Sequence, residues 1–151
     1  MNKGSGISLP IVIPVYNEQS NISTLHAEIV QVCTEHKYAF EIIIVYDGST
    51  DKTAEISRSL SPVKYIRLRR NFGQTAAMDA GIKAASHKYI VTMDGDLQNE
   101  PKDIPRLIHH LEKHGYDAVS GWRKNRRDSL SRKYDSSGRI HPVLMYLAAS
   151  L

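Results

Sequence analysis

The chain has 151 residues and a mass of 17.0 kDa, enough for one ordinary domain around a single hydrophobic core and small for an enzyme that must hold two substrates. Hydrophobic residues at 41% and charged residues at 24% exclude a disordered or fibrous chain, and a lone cysteine excludes an internal disulfide. The formal charge of +4 is uneven: Trp122 to Arg139 holds seven Lys or Arg against Asp128 and Asp135, so the basic character belongs to the C-terminal part.

Met1 to Pro10 has neither the charged start nor the long apolar stretch of a signal peptide, and with a reduced cysteine this predicts a cytoplasmic protein. No apolar run approaches the ~20 residues needed to cross a bilayer. The first apolar run, Leu9 to Val15, is rich in Ile and Val and too short for a buried helix. It is predicted as a strand buried on both faces. Pro14 is expected to end its ladder, Tyr16 offers a ring to a nucleobase, Glu18 follows, and Asn17 or Ser20 is expected to cap the next helix. Ile22, Leu25, Ile29 and Val32 mark that helix, with Cys33 in the same run as a core residue.

A second buried strand is predicted over Phe40 to Val45, running into Tyr46-Asp47-Gly48-Ser49-Thr50-Asp51. The Asp-x-Ser-x-Asp spacing suggests a calcium loop, but Lys52 stands where that motif needs glycine and Arg58 where it needs glutamate. The segment reads instead as a strand-to-helix turn. Ser49, Thr50 or Asp51 caps a helix over Thr53 to Leu60, leaving Asp47 to face a ligand and accept a base or ribose donor.

The third buried strand, Val63 to Leu68, leads into Arg69-Arg70-Asn71-Phe72-Gly73-Gln74. Gly73 and Gln74 open a helix whose first amides favour an anion; Arg69 and Arg70 either add positive charge there or form a solvated surface pair. A fourth strand, Tyr89 to Met93, runs into Asp94-Gly95-Asp96-Leu97-Gln98. Two readings fit that triplet. In one, Asp94 and Asp96 bring hard oxygens to a Mg²⁺ or Mn²⁺ ion, Gly95 permits close backbone approach, and a substrate diphosphate completes the site. In the other, the triplet is an acidic turn with Asp96 capping the next helix. A phosphohydrolase with an aspartate nucleophile is excluded, because its Asp-x-Asp belongs after the first strand. A helix over Ile104 to His114, with Pro105 in its first turn, and a fifth strand at Ala118 to Ser120 complete the pattern.

Strands alternating with helices predict an α/β fold: a doubly wound, mostly parallel, Rossmann-like sheet with right-handed crossovers. Ligands of such sheets bind beyond the carboxyl ends of the strands, where strand order reverses. Residues 1–121 are read as the α/β domain and 122–151 as a basic loop with an unassigned tail. The run Trp122-Arg123-Lys124-Asn125-Arg126-Arg127 either attracts phosphate, on a nucleotide or a lipid headgroup, or is a solvated tail. It lacks a nucleic-acid recognition motif, and no nucleic-acid partner is expected.

Five motifs in order over Ser8 to Lys133 resemble family 2 glycosyltransferases, and within them the polyprenyl-phosphate branch related to dolichyl-phosphate mannose synthases and bacterial undecaprenyl-phosphate sugar transferases. They are Ile13-Pro14-Val15-Tyr16-Asn17-Glu18, Asp47-Gly48-Ser49-Thr50-Asp51, Arg70-Asn71-Phe72-Gly73-Gln74-Thr75-Ala76-Ala77, Asp94-Gly95-Asp96-Leu97-Gln98 and Gly121-Trp122-Arg123-Lys124. The resemblance implies a GT-A fold, a nucleotide-diphosphate sugar donor linked to UDP or GDP, and inverting transfer. The implied acceptor is a polyprenyl phosphate or another glycan acceptor. It implies the inner membrane face as the place of work, with peripheral contact through 122–139. It also implies Asp94 and Asp96 at the metal, with Asp96 as the catalytic-site carboxylate, and Asp47 near the base. Pro14, Tyr16, Glu18, Gln74 and Gly95 would line the nucleotide, and Arg123 would approach the diphosphate.

This sequence departs from the family pattern in two places. The family usually has two aspartates before the Gly-Ser of the second motif, and Tyr46 occupies the first of them, which predicts weaker nucleotide affinity. After Lys133 neither the acceptor region nor a catalytic carboxylate is recognisable, so no general base is assigned and the chain resembles the donor-binding half. A catalytically incomplete nucleotide-sugar-binding fragment or regulatory module is therefore the alternative. The tail, with Arg139, His141, Pro142 and apolar Val143 to Leu147, fits a shifted reading frame, a natural stop or a short interfacial helix.

Overall fold

The structure is a computed structural model that describes residues 7–85, 87–121 and 146–149. In chain order the elements are β1 (Ser8–Val15), α1 (Ile22–Glu35), β2 (Ala39–Tyr46), α2 (Thr53–Ser59), β3 (Lys64–Arg67), α3 (Gln74–Ala84), β4 (Tyr89–Thr92), a 3-10 turn (Pro101–Asp103), α4 (Ile104–His114), β5 (Ala118–Ser120) and β6 (Tyr146–Ala149). They build one six-stranded sheet in the order β3-β2-β1-β4-β6-β5. β1 pairs in parallel with β2 along its whole length, Ser8 opposite Ala39 to Val15 opposite Tyr46, and with β4 only at Ile11–Val91 and Val12–Thr92.

Period-two alternation sends each strand's side chains to opposite layers. Leu9, Ile11, Ile13 and Val15 of β1, with Ile42 and Ile44 of β2 and Tyr89 and Val91 of β4, bury against α1 and α4. The helices answer with their own apolar stripes: Ile22, Leu25, Ile29 and Cys33 on α1, and Ile104, Leu107, Ile108 and Leu111 on α4. Val12, Ile43, Val45 and Ile90 point the other way, onto Ala77 of α3. That second layer is thin because α3 lies very close to the sheet. A Cβ at Gly81 would sit 2.2 Å from Cγ1 of Val12 and 3.0 Å from Cγ2 of Val45.

Four expectations change. β3 is an edge strand whose residues are exposed or half-buried, because β2 covers only one of its sides and the thin α3 layer leaves it open. Neither Asn17 nor Ser20 caps α1; the N-cap position is Asn21, without a side-chain cap bond, and the Glu18 carbonyl accepts the Asn21 and Ile22 amides instead. Pro14 does not end the ladder to β2, which continues through Val15 opposite Tyr46. It lies beyond the last β4 partner, where its missing N–H removes no ladder bond. Residues Tyr146–Ala149, which overlap the apolar tail, form a strand rather than a helix, inserted antiparallel between β4 and β5 with Thr92 opposite Tyr146 and Val119 opposite Leu147. Among the described residues no helix is long and apolar enough to cross a membrane.

Candidate functional site

The helix after β1 lies on one face of the sheet and the helix before β4 lies on the other, so β1 and β4 flank the point where the winding reverses. The two strands part there. Past Thr92 the last link is the Met93 amide to the Val12 carbonyl, and beyond it a cavity of about 370 Å³ opens, within the ~300–1,000 Å³ range of small-molecule sites. β1 contributes Pro14, Val15, Tyr16 and Glu18; β2 contributes Asp47; the segment after β3 contributes Asn71, Gly73, Gln74 and Ala77; β4 contributes Asp94, Gly95 and Asp96.

Each carboxylate in this cavity is held by a neighbour. Asp47 is 3% exposed, and its two oxygens accept the Phe72 and Gly73 amides at 2.8 and 2.9 Å. It therefore anchors the start of α3 as well as lining the cavity. The Gln74 side-chain amide donates to Oδ1 of Asp94, whose own backbone amide donates to Oδ1 of Asn99 at 3.1 Å. Asp96 accepts the Gln98 amide at 3.0 Å, an Asx-type turn rather than a helix cap, since Pro101 opens the next helical turn. Glu18 accepts the Asn21 side-chain amide at 2.8 Å. Gly95 has the close approach expected of it: a Cβ there would lie 3.1 Å from Cγ of Glu18 and 3.3 Å from Cγ1 of Val15.

Beside the cavity, the loops after β1 and β2 are laced together. The Asn17 amide donates to Oγ of Ser49, the Thr50 amide to Oδ1 of Asn17, and the Glu18 amide to Oγ1 of Thr53. Asp51 is the residue that holds the start of α2, accepting the Thr53 amide at 2.9 Å and its hydroxyl at 2.5 Å. Burial opposes charge on Asp51, but the bonds from Thr53 and Gln19 outweigh it and hold its carboxyl below the usual value.

Sequence reasoning located nine of the twelve lining positions as candidates or strand-end residues with an assigned role: Pro14, Tyr16, Glu18, Asp47, Gly73, Gln74, Asp94, Gly95 and Asp96. It missed Asn99, 8% exposed, which orients the Asp94 backbone and whose only signal was its place two residues beyond Leu97. Arg69 and Arg70 are exposed and do not line the cavity; the Arg70 guanidinium sits 5.0 Å from the Phe72 ring centroid. Arg123 and the basic stretch 122–139 lie outside the described residues.

Four carboxylates and, among the described residues, no lysine or arginine line the cavity, so the described lining by itself repels an anionic ligand. No group of three or more His, Cys, Asp or Glu gathers as a cage among the described residues. A pair of oriented carboxylates is nonetheless the protein share of a Mg²⁺ site completed by phosphate oxygens and water, and Asp94 and Asp96 fit that share.

The family model described as Glycosyl transferase family 2 matches residues 11–148. The chain belongs to that family. It is 43% identical over 129 residues to a dodecaprenyl-phosphate galacturonate synthase of Rhizobium johnstonii, covering 82% of this chain and 38% of that protein. It is 44% identical over 131 residues to an undecaprenyl-phosphate 4-deoxy-4-formamido-L-arabinose transferase of Pseudomonas fluorescens, covering 83% and 38%. The chain thus spans about two fifths of the length of these curated relatives. Among solved structures it is similar to glucosyl-3-phosphoglycerate synthase from Mycobacterium tuberculosis in complex with UDP, at a TM-score of 0.70 and 22% identity over 95% of this chain and 57% of that one. It is also similar to a mannosyltransferase from Pyrobaculum calidifontis in complex with GDP-Man and Mn²⁺, at 0.65 and 20% over 93% and 44%. The fold is therefore GT-A. The family match runs to residue 148, past Lys133 where the recognisable motifs stop.

Proposed function

We propose that this chain is the donor-binding part of an inverting, metal-dependent glycosyltransferase that moves a sugar from a UDP- or GDP-linked donor to a polyprenyl phosphate. The observation that carries this reading is the convergence of four strand ends on one carboxylate-floored cavity at the switch point. The relatives named for dodecaprenyl and undecaprenyl phosphate support the acceptor class.

In this reading Pro14, Tyr16 and Glu18 line the nucleotide on one side and Gln74 on the other, with Asp47 fixing the backbone of Phe72 and Gly73 between them. Asp94 and Asp96 hold Mg²⁺ or Mn²⁺, with Gly95 keeping the backbone between them close to β1. The bound ion supplies charge stabilisation to the departing diphosphate. The Gln74 side-chain amide and the Gln98 backbone amide each hold one oxygen of these two carboxylates. Arg123 approaches the diphosphate, and 122–139 brings the cavity to the cytoplasmic face of an anionic membrane. A phosphate acceptor already carries negative charge and needs less help from a general base than a hydroxyl does.

The test presents the chain with UDP- and GDP-sugars, Mn²⁺ and polyprenyl phosphate in detergent micelles and follows nucleoside diphosphate release. Release that depends on both the lipid phosphate and the metal is expected. Metal-dependent donor binding with no release on adding the lipid overturns the transfer reading.

A further inference from the structure

Position 46 breaks the family's two-aspartate pattern, yet its side chain does not line the cavity. Tyr46 is buried, with its ring centroid 6.1 Å from that of Tyr65 and the Arg67 guanidinium 5.8 Å from its own. With the ring held by β3, the hydroxyl donates to the Ser49 carbonyl at 2.7 Å. Oγ of the same Ser49 accepts the Asn17 amide at 3.0 Å, and the next amide, Thr50, donates to Oδ1 of Asn17 at 2.8 Å. Asn17 has a left-handed backbone, φ 55°, which asparagine tolerates better than most residues and which the two bonds to Ser49 and Thr50 hold in place. Its two neighbours, Tyr16 and Glu18, line the cavity.

We propose that Tyr46 is a positioning residue for the nucleotide: through the Ser49 carbonyl it fixes the loop that carries Tyr16 and Glu18. The inference rests on the donor-binding reading above. A loop already tethered loses less freedom when ligand binds, so the hydroxyl raises affinity without touching the ligand.

Tyr46→Phe keeps the ring between Tyr65 and Arg67 and deletes only the hydroxyl. Calorimetric titration with UDP and GDP in Mn²⁺ is expected to give a Kd about five- to tenfold above that of the unaltered chain, from the loss of one partly buried hydrogen bond. Amide exchange is expected to quicken at Asn17 and Thr50 and to stay slow at Ile13 and Ile43 in the central strands. Tyr46→Asp, which restores the family's carboxylate, is expected to bind no better than Tyr46→Phe. A Kd unchanged in Tyr46→Phe, faster exchange spread through the central strands, or Tyr46→Asp binding as tightly as the unaltered chain each overturns the inference. Absence of nucleotide binding by the unaltered chain overturns the donor-binding reading and this inference with it, whereas normal binding by the unaltered chain and by Tyr46→Phe alike overturns this inference alone.

Discussion

Gln74, the first residue of α3, donates its side-chain amide to Oδ1 of Asp94, two residues beyond the end of β4. The bond crosses the cavity from the strand-end segment on one side to the acidic triplet on the other. It ties the orientation of the Asp94 carboxylate to a helix start packed on the opposite face of the sheet.

Gln74→Ala removes that donor while leaving an exposed helix start with a good helix former. Outer bonds that orient ligating carboxylates are worth about 10–100-fold in metal affinity, and the lower end applies to a single exposed amide. The Mn²⁺ concentration that half-saturates nucleotide binding is expected to rise about tenfold, read by calorimetry at fixed nucleotide, with the melting temperature unchanged.

Asp47 serves the fold as well as the site. In Asp47→Asn one of the two acceptor oxygens becomes an NH₂ facing the Phe72 or Gly73 amide, inside a position only 3% exposed. Leaving one buried amide unsatisfied costs about 1–3 kcal/mol. Urea denaturation is expected to show that loss, and nucleotide affinity is expected to fall as the start of α3 loosens.

The strand ends were legible in the sequence because runs such as Ile42-Ile43-Ile44-Val45 are too short and too β-branched for helices, and polar residues begin where each run stops. The lacing of Asn17 to Ser49 and Thr50 was not, since bonds between residues 32 and 33 apart leave no local pattern. Nor was the exposure of β3: Lys64-Tyr65-Ile66-Arg67 reads like its neighbours until strand order puts it at the edge. Asp47 lines the cavity as expected, but its second role was not legible, because nothing near it in sequence reveals that Phe72 and Gly73 bring it their amides.

Gly81→Ala tests how closely α3 approaches the sheet. The substitution gains about 1 kcal/mol of helix propensity, but its Cβ meets Val12 at 2.2 Å and Val45 at 3.0 Å, both fixed in central strands. Overpacking of that kind costs about 1–3 kcal/mol or more, so a net loss of stability is expected in thermal or urea unfolding.

His26 on α1 is buried, and its Nε2 has no hydrogen-bond partner. Burial pushes its pKa below the ordinary 6.5, against a backbone bond at Pro62 that raises it. The unfolded chain then binds the proton more readily than the folded one, so the contribution is complete above about pH 6.5 and is lost as the pH falls below it. Melting temperatures measured from pH 7.5 down to pH 5 are expected to decline, and His26→Gln is expected to flatten that decline.

Cation-dependent binding at Asp94 and Asp96 is the central claim, and Asp96→Asn tests it most directly. Asparagine keeps an oxygen to accept the Gln98 amide, so the turn is retained, while the charge that holds a metal is removed. Calorimetric titration of UDP and GDP with Mn²⁺ is expected to show metal-dependent binding by the unaltered chain and at least a roughly tenfold loss in the variant, with a melting temperature within about 2 °C. Equal affinity in the two chains, or binding by the unaltered chain that is indifferent to Mn²⁺, would contradict the account.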